Sequence, residues 1–106
     1  MDACIAACHD THRATLIALT ECLSKGGKHA AATHIQALLD CAHICALSTD
    51  VMLRRSAMHQ SVCRLCAEIC DLCAASCDTF GADPAMRACA AACRRCADAC
   101  RQVCAH

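Results

Sequence analysis

The sequence has no tryptophan and no tyrosine, and Phe80 is its only phenylalanine. A protein that stacks successive bases needs several aromatic faces, and one phenylalanine does not provide them. Charge of one sign is also missing. Ten basic and ten acidic residues are dispersed along the chain in runs no longer than two, and the formal net charge is zero, so no basic stripe exists to neutralise phosphates, and nucleic acid is set aside as a partner. No apolar run approaches membrane-spanning length, and no membrane partner is expected. The opening stretch MDACIAACHD contains neither a basic region leading into an apolar one nor a twin-arginine signal, and the pair Arg54-Arg55 is internal. The expected location is cytoplasmic. With three glycines and one proline, there is little to interrupt helices, and no stretch alternates in the manner of a strand.

In place of these the chain has cysteine, fifteen in 106 residues. A disulfide scaffold is the usual reading of a short secreted chain this rich in cysteine. The odd count, the missing export signal and the wealth of helix-forming alanine oppose it here. In CRLCAEICDLCAASC the spacings are three, four, three and four. At about 100° per residue, Cys63, Cys66, Cys70, Cys73 and Cys77 share an arc of roughly 80° on one helix face, where a bundle normally places leucine. Cys89, Cys93, Cys96, Cys100 and Cys104 repeat the pattern near the carboxyl end. Cys4, Cys8 and Cys22 lie nearly in line near the start, with Thr11, Thr15 and Leu19 completing the stripe. Cys41 and Cys45 share a direction with His34, Ser48 and Met52 to within about 40°.

Turn signals divide the chain into helices at roughly 3–25, 29–54, 57–79 and 84–104. KGGK at 25–28 breaks the first. In FGADPAM, Gly81 suits a C′ position, Asp83 an N-cap and Pro84 the first turn. The junction near LRRSAM has neither Gly nor Pro and is placed by length, with Ser56 as its N-cap. Short connections make neighbours antiparallel. The expected fold is all-α, a single domain over 1–106 forming an up-down-up-down four-helix bundle with a cysteine-lined core.

One or two in-phase cysteines would be ordinary core, since free cysteine packs as a small hydrophobe. Ten on two helices, displacing leucine from the seam, would be poor packing chosen repeatedly. Zinc is suggested by the C-x-x-C pairs Cys63/Cys66, Cys70/Cys73 and Cys93/Cys96, but a structural zinc site usually folds two such pairs around one ion through a turn. Inter-helical zinc sites stay open as an alternative. The ferredoxin spacing and its following proline are absent, and no strand precedes a C-x-x-C as thioredoxin-like chemistry requires. Cu(I) fits best: it is soft, prefers thiolate and thioether, and accepts few ligands. Cysteines at i and i+4 lie about 5–6 Å apart at Cβ and can lean onto one ion. With sulfurs bridging, the load approaches roughly one ion per cysteine, and n thiolates with n monovalent cations leave the lumen neutral.

These stripes, with CIAAC at 4–8 and CAHIC at 41–45, resemble the bacterial cysteine-rich four-helix-bundle copper storage proteins, specifically their cytosolic branch. The resemblance covers essentially the whole chain. It implies storage of many Cu(I) ions by thiolates within each bundle, a homotetramer, a role in copper homeostasis and no catalysis. The chain departs from the pattern in the cysteine-free interval between Cys8 and Cys22. A copper chaperone or redox-active thiol protein is the rival reading, although a chaperone needs one exposed, exchangeable site. No nucleophile–base–orienter set points to an enzyme.

The expected ligands are the fifteen cysteines, with His34, Met86, Met52 and His59 as softer or borderline donors at the bundle ends. Two mouths follow from angular phase. One combines His34 and Met86 with Cys22, Cys77 and Cys89 near the glycine-bearing loops. The other combines Met52 and His59 with Cys4, Cys63 and Cys104. His9, His43 and His106 point away from the stripes, His12 sits at the edge of one, and Phe80 caps a core end. Leu39, Leu65 and Leu72 are expected on the outer face, where they suggest contacts between copies.

Overall fold

The computed structural model describes residues 1–104, leaving His106 outside the described residues. Four helices follow in order: α1, Asp2–Lys25; α2, Ala32–Leu53; α3, His59–Asp78; and α4, Pro84–Cys104. A single 3₁₀ turn, Gly27–Ala30, stands between α1 and α2. Each helix packs on its sequence neighbours, and α1 closes the ring against α4. The side-chain register gives the directions. Cys4 meets Cys100, Cys8 meets Cys96 and Thr11 meets Ala92, so α1 and α4 run antiparallel. Cys41 opposite Cys70 and Cys45 opposite Cys66 make α2 and α3 antiparallel as well.

The seam is narrow because its residues are small. On α3 the buried face is Cys63, Cys66, Ala67, Cys70, Cys73, Ala74 and Cys77, and α4 repeats the cysteine–alanine mixture. Buried alanines among the cysteines let the backbones approach, giving a rod of 41 × 19 × 18 Å. The bulkier anchors are few. Leu38, Met52 and Met86 are the largest fully buried side chains, each contributing about 1.5–3 kcal/mol of apolar burial. Ion pairs Arg94–Asp78 and Arg101–Asp71 tie α4 to α3 on the outside.

The connections depart from the sequence expectation in three places. α2 begins three residues later than its expected start at 29, because Gly27–Ala30 coils as 3₁₀ and Ala31 is extended (φ −61°, ψ 139°). Ser56 does not cap α3 from the N-cap position. Its carbonyl accepts from the backbone N–H of His59 and its Oγ from that of Met58, so it closes the turn one step earlier. The same junction carries a left-handed Arg55 at φ 55°. The Arg55 N–H donates to the Met52 carbonyl and the Ser56 N–H to that of Val51, the helix-ending pattern that usually recruits glycine. Gly81 is left-handed at φ 60°, but only after the chain has coiled on past Asp78. Asp83 does cap α4: Oδ1 accepts from the backbone N–H of Ala85 and Met86 at 3.0 and 3.3 Å.

α2 differs in another respect. Its length and mean hydropathy of 1.2 reach those of a membrane span, although half of that window is buried inside the bundle. That overturns the expectation that no run approaches this length. The stripe of a core helix and a membrane helix look alike when few charges interrupt them.

Candidate metal centre

Fourteen of the fifteen thiols are buried and Cys104 is half-buried. Their sulfurs form a column along the bundle axis. At the end holding the chain terminus, Cys4, Cys63 and Cys100 lie within 4.8 Å of one another. Next come Cys8, Cys66, Cys96 and Cys100, then Cys45, Cys66, Cys70 and Cys96, then Cys41, Cys73 and Cys93, and finally Cys73, Cys77 and Cys89. Adjoining groups share members: Cys100, then Cys66 and Cys96, and at the far end Cys73. The gap between the third and fourth groups is bridged by Cys41, 3.7 Å from Cys70 and 3.8 Å from Cys93.

These separations suit a soft cation of low coordination number. A metal–thiolate bond of about 2.3 Å puts two sulfurs roughly 4.6 Å apart in a linear site and roughly 4.0 Å apart in a trigonal one. The closest observed pairs run from 3.3 Å for Cys4–Cys100 to 4.0 Å for Cys66–Cys96. Small side-chain rotations therefore open each group to a two- or three-coordinate ion.

Without cations the column resists charging. Burial pushes the Cys63 thiol up to about 12 and raises Cys22 and Cys104 as well. In the middle, hydrogen bonds from neighbouring thiols divide the column into unlike partners. Cys41 is held low chiefly by Cys45, and Cys66 by Cys100, while Cys45 and Cys100 are driven up as donors to Cys41 and Cys4. Charging the rest of this interior without positive ions would bury uncompensated negative charge, which is costly.

The cysteine-free interval of α1 is filled by hydroxyls. Thr11 and Thr15 are fully buried, with Thr11 donating to the Ala7 and Ala92 carbonyls and Thr15 to that of Thr11. At this level sulfur comes from three helices rather than four.

The ends differ. Near the glycine-bearing loops, His34 Nε2 lies 3.4 Å from Cys22 Sγ, and Cys22 Sγ lies 3.8 Å from the thioether of Met86. His34 Nδ1 is 2.7 Å from Ser76 Oγ, and burial lowers the pKa of the ring and keeps it neutral. Phe80 packs its ring at a tilt against both His34 and His29, with ring centroids 4.6 and 4.2 Å apart. Asp83 joins the loops here: Oδ2 accepts from Lys25 Nζ and His29 Nε2, both at 2.9 Å, and Lys25 foremost holds its carboxyl well below the usual range. Sequence reasoning found Asp83 as a cap and missed this bridge, because loop-to-loop contacts have no periodicity to read.

At the opposite end the grouping differs from the one expected. Met52 and His59 line a pocket with Met1, Asp2, Ile5, Leu53 and Arg55, and no cysteine borders it. Cys4 and Cys63 turn inward to Cys100, and the Cys104 thiol donates to the Gln60 carbonyl at 3.2 Å. His9 and His43 are exposed and His12 is intermediate. Leu65 and Leu72 are exposed as expected, whereas Leu39 is only partly so.

A family model described as copper storage protein matches residues 1–105. A crystal structure of a protein from Nitrosospira multiformis superposes with a TM-score of 0.92 at 42% identity, covering 98% of this chain and 94% of that one. The Cu(I)-bound copper storage protein BsCsp3 gives 0.88 at 37%, covering 95% and 94%. Apo Csp3 of Bacillus subtilis gives 0.86 at 35%, covering 97% of each. An uncharacterized cysteine-rich protein of Bacillus subtilis (strain 168), YhjQ, is 38% identical over 68 residues, 64% of this chain and 63% of that relative. The match thus spans less than two thirds of the length of YhjQ.

Proposed function

The chain belongs to the copper storage protein family, and from that premise we propose that it stores many Cu(I) ions as thiolate complexes along its own axis. The observation that carries this reading is the sharing of ligands between successive sulfur groups. A zinc protein gains most from four ligands closed around one ion, and a chaperone from one accessible site. A column whose thiolates each bridge two neighbours suits capacity, with a soft cation that needs only two or three of them. The ligands are the fifteen cysteines, joined at the loop end by His34 and Met86, while Met52 and His59 line a pocket that no cysteine borders and stay outside the set. The protein acts as a store in the cytoplasm and not as a catalyst, with residues 1–106 as one storage unit and neither membrane nor nucleic acid as a partner.

Titration of reduced protein with Cu(I) under anaerobic conditions, against a high-affinity chelator, tests the proposal. Saturation is expected on the order of one ion per cysteine and at no fewer than ~10 per chain. Protons should be released on loading, since thiols bind as thiolates, and retention should weaken as pH falls. Saturation at one to four ions would favour a chaperone or a zinc-type site.

The assembly is a homotetramer, supported by apolar side chains left on the outer faces: Leu65 and Leu72 on α3, Ile17 and Leu23 on α1, and Leu47 on α2. Light scattering at micromolar concentration should return the mass of four chains, and a monomer would refute it.

Copper is admitted at the end where Cys22, His34 and Met86 meet. Glycine-bearing loops border it, and neutral nitrogen and thioether donors can pass Cu(I) to stronger thiolates within. In stopped-flow loading, His34→Ala/Met86→Ala should slow uptake several-fold and leave final capacity nearly intact. Slowing confined to Met52→Ala/His59→Ala would put the mouth at the other end.

A further inference from the structure

One hydroxyl in the sulfur column has no partner. Ser48 on α2 is fully buried, and its Oγ is the one buried side-chain oxygen or nitrogen among the described residues that makes no hydrogen bond. Such a group is costly in a dry interior and uncommon in native ones. A helical serine ordinarily bonds back to the carbonyl four residues earlier. Ser24 does so to Thr20, Thr15 to Thr11 and Thr49 to Cys45. Ser48 does not.

Its place in the register is specific. Ser48 follows Cys45 by three residues and precedes Met52 by four, on the buried face of α2. Cys41 and Cys45 face Cys70 and Cys66 in antiparallel order, so the next step along α3 is Cys63. They face Cys93 and Cys96 in parallel order, so the next step along α4 is Cys100. On α1, which meets α2 antiparallel through Cys22 and His34, the corresponding cysteine is Cys8. Ser48 therefore stands where the Cys4/Cys63/Cys100 and Cys8/Cys66/Cys96/Cys100 groups join. Three helices bring sulfur to this level and α2 brings an oxygen.

We propose that Ser48 is a positioning residue for stored Cu(I), donating its O–H to a thiolate of the Cys8/Cys63/Cys100 level once copper is bound there. The inference rests on the storage reading. Loading exchanges each thiol proton for one Cu(I), and the proton leaves to solvent. A neutral thiol is a weak acceptor, and a thiolate that carries negative charge is a far better one. The hydroxyl thus gains its partner only in the loaded protein, and that difference favours copper at this joint. Thr11 and Thr15 cannot serve the same purpose, because their protons are already on backbone carbonyls.

The experiment compares loaded wild type, Ser48→Ala and Ser48→Thr by stepwise removal of copper with a high-affinity Cu(I) chelator, and follows thermal melting of each metal-free protein. Ser48→Ala should melt no lower than wild type without metal, having lost an unpartnered hydroxyl. It should surrender one or two equivalents at roughly tenfold lower chelator concentration, the contribution of one charge-assisted hydrogen bond, with the remaining equivalents unmoved. The near-ultraviolet sulfur-to-copper band of those equivalents should shift, and Ser48→Thr should restore retention. Wild-type retention by Ser48→Ala, or uniform weakening of every equivalent together with a lower metal-free melting temperature, would overturn the proposal. Wild type that itself saturates at one to four ions would bring down the storage reading, and this inference with it.

Discussion

Loading with Cu(I) is expected to carry thermal unfolding beyond the range of an aqueous scan, from a metal-free protein that is already helical and melts within it. Each site occupied at a hundredfold excess of free ion over its dissociation constant adds about 2.7 kcal/mol to the folded state. Ten such sites add roughly 27 kcal/mol, against a total of about 5–15 kcal/mol for an ordinary domain. Thiols of the unfolded chain also bind copper and reduce the difference, yet a third of it would still about double the stability. The metal-free fold should stand without copper because its helices rest on alanine, on the Asp83 cap and on burial of Leu38, Met52 and Met86. Far-UV circular dichroism of reduced, metal-free protein should show high helicity that copper barely alters. A coil spectrum converting to helix only on copper addition would contradict this, as would a melting temperature that copper leaves in place.

The second large effect is expected from the double variant Cys66→Ala/Cys73→Ala. Each residue belongs to two adjoining sulfur groups and no group contains both, so each thiolate removed takes a ligand from two different ions. Capacity should fall by roughly four ions rather than two. Cys22→Ala/Cys104→Ala supplies the comparison, since neither residue lies in any of the overlapping groups, and its loss should not exceed two. Alanine is at home on these helices, and unchanged circular dichroism would separate lost ligands from lost fold. Equal losses in the two variants would mean that each ion has its own ligands and that sharing is not the principle of the column.

Much of this column is legible in the sequence because helical periodicity is a long-range ruler. Five cysteines at spacings of three and four on α3, and five on α4, fix a face without knowledge of any neighbour. Asp83-Pro84 marks the start of α4 with the same certainty, since capping depends on residues within one turn. The less regular features arise between segments. Arg55 adopts a left-handed conformation that its side chain does not announce, because closing α2 onto α3 demands it and no glycine is there. Phase alone gathers Met52, His59, Cys4, Cys63 and Cys104 at one end, but phase does not fix depth. The sulfurs of Cys4 and Cys63 reach the axis, while Met52 and His59 line a separate surface pocket. The same limit applies to Leu39, whose angle on α2 points outward although the residue is only partly exposed.

The cysteine–alanine seam has a consequence for the motions that loading demands. A cysteine ligand hangs from the backbone by one rotatable bond, whereas methionine, the other soft donor, has three. Taking up an ion therefore asks for little more than a turn of that bond in each participating residue. Little freedom is surrendered per ion, and no lever arm is long enough to push one helix away from another. The rod should keep its length and girth from empty to full, so that four-fold packing of rods in an assembly would feel no difference between a depleted store and a replete one.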